Sequence, residues 1–135
     1  MNAKPMPMFR LLLILAALSF AACTDPRRTS VSRLRSANVA ELRTEVALLY
    51  TRMFHGSGHA LMPVRPEAWP AAILKLRPLR LNLYRDGLAV SLQARPGFEY
   101  GIHILPAGDA EAPKSTARTQ YERLDDGIFY FAQKR

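Results

Sequence analysis

From residue 79 onward apolar and polar positions alternate. Leu79, Leu81 and Leu83 are interleaved with Arg80, Asn82 and Tyr84, and Leu88, Val90, Leu92 and Ala94 with Ala89, Ser91 and Gln93. Two runs of period two on either side of Asp86-Gly87 predict a β-hairpin, because that dipeptide tolerates the positive φ angles of a tight turn. Pro96-Gly97 makes the next turn, and Phe98, Tyr100, Ile102 and Ile104 alternate with Glu99, Gly101 and His103 as a third strand. Each strand has one apolar and one mixed face, the pattern of an antiparallel sheet covered on one side. Residues 106–119, with Pro106, Gly108 and Pro113, read as an exposed loop. Tyr121-Glu122-Arg123-Leu124, the turn Asp125-Asp126-Gly127, and Ile128-Phe129-Tyr130-Phe131 predict a final hairpin whose aromatic strand can lie beside an earlier one.

Upstream the period lengthens. Val39, Leu42, Val46, Leu49, Tyr50 and Met53 recur at helical spacing, and Asn38 with Glu41 three residues later has the arrangement of a capping box. This predicts one amphipathic helix of about 16 residues ending near His55-Gly56. Residues 55–66, rich in Gly and Pro, read as a loop. A short helix is expected over residues 71–76, entered through Pro70 and stopped before Pro78, with Trp69 packed across the open edge of the core. Residues 24–37 carry four Arg and little apolar periodicity, and read as a tether. The expected fold is α+β: one long N-terminal helix and a short second helix packed on a four- or five-stranded antiparallel meander.

The first 22 residues do not belong to that domain. Lys4 and Arg10 form a positive segment, and residues 11–22 follow with Ser19 as their sole polar side chain. A membrane-spanning helix needs about 20 apolar residues, so this run has the length of a signal-peptide core instead. It ends Phe20-Ala21-Ala22-Cys23. Small residues before a cysteine suit cleavage by a signal peptidase, and the thiol is a nucleophile for attachment of a diacylglycerol. The segment resembles the lipobox of bacterial lipoproteins, with Phe20 standing where Leu is usual. That resemblance covers residues 1–23 and implies removal of residues 1–22, lipidation of Cys23 and anchoring to a lipid bilayer. In Gram-negative lipoproteins an Asp directly after the Cys favours the inner membrane. Here Thr24 holds that place, which points to the outer membrane, periplasmic face, with the inner membrane as the alternative. The expected organisation is then a signal peptide over 1–22, lipidated Cys23 and tether over 23–37, and one domain over 38–135.

Charge and cysteine count narrow the chemistry. The chain has 19 Lys and Arg against 11 Asp and Glu, a net charge of +8. Two of those cations, Lys4 and Arg10, precede Cys23. The excess suits an acidic protein or an anionic membrane. Export argues against nucleic acid, and the cations form no stripe with interleaved aromatics. Their one local cluster is Arg27, Arg28, Arg33 and Arg35. Cys23 is the sole cysteine, so the chain has no internal disulfide and no thiolate metal cluster.

His55-Gly56-Ser57-Gly58-His59 is the most suggestive constellation, since two histidines four apart can bind a metal from one helix face. The glycines argue against a helix there, and a third ligand would have to come from His103 or Glu67. Ser57 lacks the spacing of a nucleophile elbow. Asp86, Asp109, Asp125 and Asp126 lack the spacing of a calcium loop and read as turn residues. No catalytic residue, metal or cofactor is assigned. Among the aromatic residues Tyr84, Phe98, Tyr100, Tyr121, Phe129, Tyr130 and Phe131, most should be core. Tyr84, Phe129 and Phe131 fall out of phase with their apolar neighbours and are candidates for a partner-binding face. These features suggest an envelope lipoprotein with a small protein-binding domain, either an immunity-like inhibitor of an exported toxin or an accessory subunit. The alternative is a small periplasmic hydrolase or metal-binding protein using His55, Ser57 and His59.

Overall fold

A computed structural model describes residues 25–54, 61–106 and 111–135. The fold is α+β, with helices on one face of an antiparallel sheet.

The chain enters as a helix, α1 (Pro26–Arg35), where the sequence suggested a tether. Asp25 caps it by accepting a hydrogen bond of 3.0 Å from the Arg27 N–H, and Pro26 takes the first turn, where a missing N–H costs nothing. Its buried stripe is Pro26, Ser30 and Leu34. Two of these three are not large apolar residues, which is why hydrophobic periodicity missed the helix. The Ser30 hydroxyl donates to the Pro26 carbonyl at 3.0 Å and so needs no outside partner. The small Pro and Ser side chains suit a close approach to the sheet beneath.

The second helix, α2 (Val39–Met53), has Asn38 as its cap, accepting from the Glu41 N–H at 3.1 Å as the capping pattern predicts. Leu42, Val46 and Leu49 are its buried stripe. The expected end near His55-Gly56 lies outside the described residues, and the last helical residue is Met53.

Beyond it, β1 (Leu61–Val64) occupies part of the segment expected to be loop. Pro63 lacks an N–H donor and is tolerated because β1 is an edge strand. A 3-10 turn (Pro66–Ala68) and the one-turn helix α3 (Ala71–Leu74) follow, shorter than the 71–76 expected. Trp69 packs against the core and its indole donates to the Val64 carbonyl at 2.9 Å.

The remaining strands are β2 (Arg80–Tyr84), β3 (Gly87–Arg95), β4 (Phe98–Ile104), β5 (Thr119–Asp125) and β6 (Ile128–Lys134). Among the described residues six strands form one sheet in the order β1-β2-β3-β4-β6-β5. The four or five strands expected therefore become six, and the order departs from a meander at its end. The last hairpin joins through its second strand, with Ile128 opposite Ile104 and Phe131 opposite Gly101. Gly127, at φ +67°, supplies the left-handed turn residue that this hairpin needs.

The two faces differ in kind. Under the helices lie Leu81, Leu83, Leu88, Val90, Ile102, Ile104 and Ile128, packed with Leu42, Val46, Ile73 and Leu76 into one apolar core. The other face also buries residues, among them Ser91, Glu99, His103, Phe129 and Phe131 with the small Ala89. A bulge between Ser91 and Gln93 lets Leu92 join the core while Ser91 keeps to the second face. At Gly101 the strands are too close for any side chain: a Cβ there would lie 1.9 Å from the Val90 carbonyl oxygen.

Candidate functional site

Cys23, His55, Ser57 and His59 lie outside the described residues. Of the proposed aromatic face, Tyr84, Phe129 and Phe131 do point away from the helices, as their phase predicts. Tyr84 is half-buried. Phe129 and Phe131, however, are only 9% and 3% exposed, so they offer a partner little area. The reason is cross-strand packing: Phe129 stands between His103 and Arg123, and Phe131 between Gly101 and Tyr121. These rings are a second core, and the expectation of a broad aromatic docking face is corrected accordingly.

That second face holds two polar clusters. At one end Glu99, 2% exposed, receives the Arg80 Nε–H at 2.6 Å and the Arg135 Nε–H at 3.1 Å, together with the Ser91 hydroxyl. Both Arg side chains keep about half their surface in water (49%), so the buried carboxylate is neutralised by cations that remain partly solvated. The cluster ties β2, β3, β4 and the C-terminal residue together. Alternation alone assigned Glu99 to a solvent face. Its partners lie far away in sequence, so no local signal marked it.

At the other end His103 is 1% exposed. Its Nε2 lies 3.3 Å from the Asp86 carbonyl oxygen and 3.7 Å from an Asp86 carboxylate oxygen, while Nδ1 is buried with no hydrogen-bond partner among the described residues. The rings of Tyr121 and Tyr84 flank it at 5.4 and 6.4 Å. Burial holds the imidazole below its ordinary pKa, against the pull of Asp86. Burial, with the Asp86 charge, pushes the Tyr121 phenol up to about 12. Both groups are therefore neutral near pH 7. His103 faces the interior of this cluster, and Glu67 is exposed in the 3-10 turn. Among the described residues no three His, Cys, Asp or Glu side chains are gathered as for a metal. Asp109 lies outside the described residues; Asp125 accepts from the Asp126 N–H, and Asp126 pairs with Arg43 at 3.1 Å and Arg123 at 3.5 Å.

A concavity lies on the helical side, between α1, the start of α2 and β5. It has a volume of about 520 Å³. Val31, Leu34, Ala37, Val39 and Leu124 supply apolar lining, and Arg27, Arg35 and Arg123 are the cations among its walls. Arg27 holds Glu122 on β5 with two hydrogen bonds of 2.8 and 2.6 Å. The bond from Arg27 pulls the Glu122 carboxyl below its usual range. Arg35 makes no ion pair among the described residues.

No protein-family profile, curated protein or solved structure matches the chain. Its role must therefore be argued from its own chemistry. An apolar lining edged by guanidinium groups suits an extended segment that combines apolar side chains with carboxylates. The sequence places the cluster of Arg27, Arg28, Arg33 and Arg35 in a segment expected to be a tether. Only the folding of α1 onto β5 turns two of them, Arg27 and Arg35, into walls of a groove.

Proposed function

We propose that the chain is a lipid-anchored protein of the bacterial cell envelope. Acylated Cys23 holds it to the bilayer, on the periplasmic face of the outer membrane, with the inner membrane as the alternative. Its small domain binds a protein partner, as an immunity-like inhibitor or an accessory subunit would. The anchor rests on the pattern of residues 11–23. The binding role is carried by the groove between α1 and β5, where Arg35, without an ion pair among the described residues, stands beside an apolar lining. The partner segment it fits is acidic and apolar.

The test is site-specific photocrosslinking in intact cells. A crosslinker replacing Val39, in the groove, should capture one protein that a crosslinker replacing exposed Leu48 does not. Arg35→Glu should abolish that capture while leaving the protein in the membrane fraction. Equal capture from both positions, or capture unaffected by Arg35→Glu, removes the groove from consideration.

A further inference from the structure

Folding of α1 changes what an anchor at Cys23 would do. Pro26 lies three steps along the chain from Cys23, with Thr24 and Asp25 between them, and is buried in the domain. Three steps span at most about 10 Å, so the domain cannot stand off the bilayer by more than about one Debye length at physiological salt. Whatever surrounds the start of α1 must therefore lie against the headgroups.

The residues there form a distinct surface. Asp25 and Arg27 lie close enough to Tyr130 for their charges to act on its phenol, and the Tyr100 phenol acts on it as well. Phe98 stacks on Tyr100 with ring centroids 6.0 Å apart and is 37% exposed. The cross-strand neighbours of Phe98 are Arg95 on one side and Lys134 on the other, so two cations share its face. The Lys134 N–H donates to the Arg118 carbonyl at 2.8 Å, bringing a third cation to this end of the sheet. Arg28 is exposed on the first turn of α1. Arg28, Arg118 and Lys134 form no ion pair among the described residues. Of the acids nearby, Glu122 is held by Arg27, Glu99 by Arg80 and Arg135, and Asp25 caps α1 by accepting from the Arg27 N–H. An amphipathic aromatic ridge among cations suits the headgroup region of a bilayer, where rings sit at the boundary and basic side chains reach anionic phosphates.

We infer that the end of the sheet formed by Arg95, Phe98, Arg118 and Lys134, with the start of α1, docks on an anionic phospholipid surface and fixes the orientation of the domain. This rests on the lipid anchor proposed above. The groove between α1 and β5 then stays accessible beside the membrane. Each cation near the surface contributes roughly fivefold to the docked-to-undocked ratio.

The test uses the lipidated protein purified from membranes and reconstituted in vesicles of phosphatidylcholine, with or without phosphatidylglycerol. Mass spectrometry of the N-terminal peptide first reports whether Cys23 is acylated. An unmodified Cys23 overturns the anchor and this orientation together. With acylation shown, an environment-sensitive label is placed at Pro96→Cys, in the β3–β4 turn, or at Leu48→Cys on α2. The label at 96 should be shielded from aqueous acrylamide in phosphatidylglycerol vesicles, and the label at 48 should stay quenchable in both. Arg118→Ala with Lys134→Ala should lower the docked-to-undocked ratio by roughly 25-fold. Equal quenching at 96 and 48 in anionic vesicles overturns the docking surface and leaves the anchor standing.

Discussion

The two faces of the sheet reach similar burial by different physics. Under the helices Leu81, Val90, Ile102 and Ile128 belong to one apolar cluster. On the far side Glu99, Ser91 and His103 are as deeply buried, yet each carries polar atoms that must find partners. The first face is stabilised by area removed from water and by close packing, terms that scale with volume and ignore pH. The second depends on whether particular donors and acceptors are paired, because an unpaired buried charge costs several kcal/mol. The helix-covered face should therefore respond gradually to substitution. The other should respond in steps, according to whether charges still balance.

The strongest way to break this contrast is to strip Glu99 of its cations. Arg80→Met with Arg135→Met should cost about 3–5 kcal/mol in denaturant unfolding, since the carboxylate stays buried with Ser91 alone. Adding Glu99→Gln should recover a large part of that loss. No recovery would mean that the two Arg side chains stabilise through packing alone. On the apolar face Ile102→Ala should cost about 2–5 kcal/mol and Ile102→Val about 1 kcal/mol, a graded response to lost volume. Neither loss should change with salt or with pH between 5 and 8.

A smaller effect separates the faces by pH. Burial lowers the folded-state pKa of His103 below its ordinary 6.5, so the unfolded chain takes up the proton first. Stability from the neutral imidazole is full above about 6.5 and declines as pH falls towards the folded value. Asp86, Tyr84 and Tyr121 are the polar groups facing it. Urea midpoints should therefore fall on acidification across that window, and His103→Gln should flatten the slope. An unchanged slope would show that His103 does not govern it. The smallest expected effect is at Glu122→Gln, which loses an exposed ion pair. Global stability should barely move. Amide exchange in α1 should nevertheless quicken, because Arg27 no longer fastens that helix to β5.

Much of the fold was legible along the chain. The Asp86-Gly87 and Asp126-Gly127 turns, the alternation of β2 to β4 and the Asn38 cap are local signals, and each appears in place. Two elements were not legible. The α1 stripe uses Pro26 and Ser30, whose burial reflects fit to a neighbouring surface rather than hydrophobicity. The β1 strand is four residues long and contains Pro63, so it needs β2 as a template. The candidate site was less legible still. Arg27 and Glu122 are 95 positions apart, and Arg80 reaches Glu99 across two strand boundaries. The phase of Phe129 and Phe131 revealed their face but could not reveal that their neighbours would bury them.

The sequence by itself determined the α+β class, the period of each major element and the N-terminal pattern ending at Cys23. These depend on residues within a turn or two of one another. Tertiary structure decided the placement of β6 between β4 and β5, the docking of α1 and the pairing of Glu99 with its two Arg partners. Those are contacts between segments distant in the chain. Their free energy depends on what surrounds a side chain after folding, and no window along the sequence contains that information.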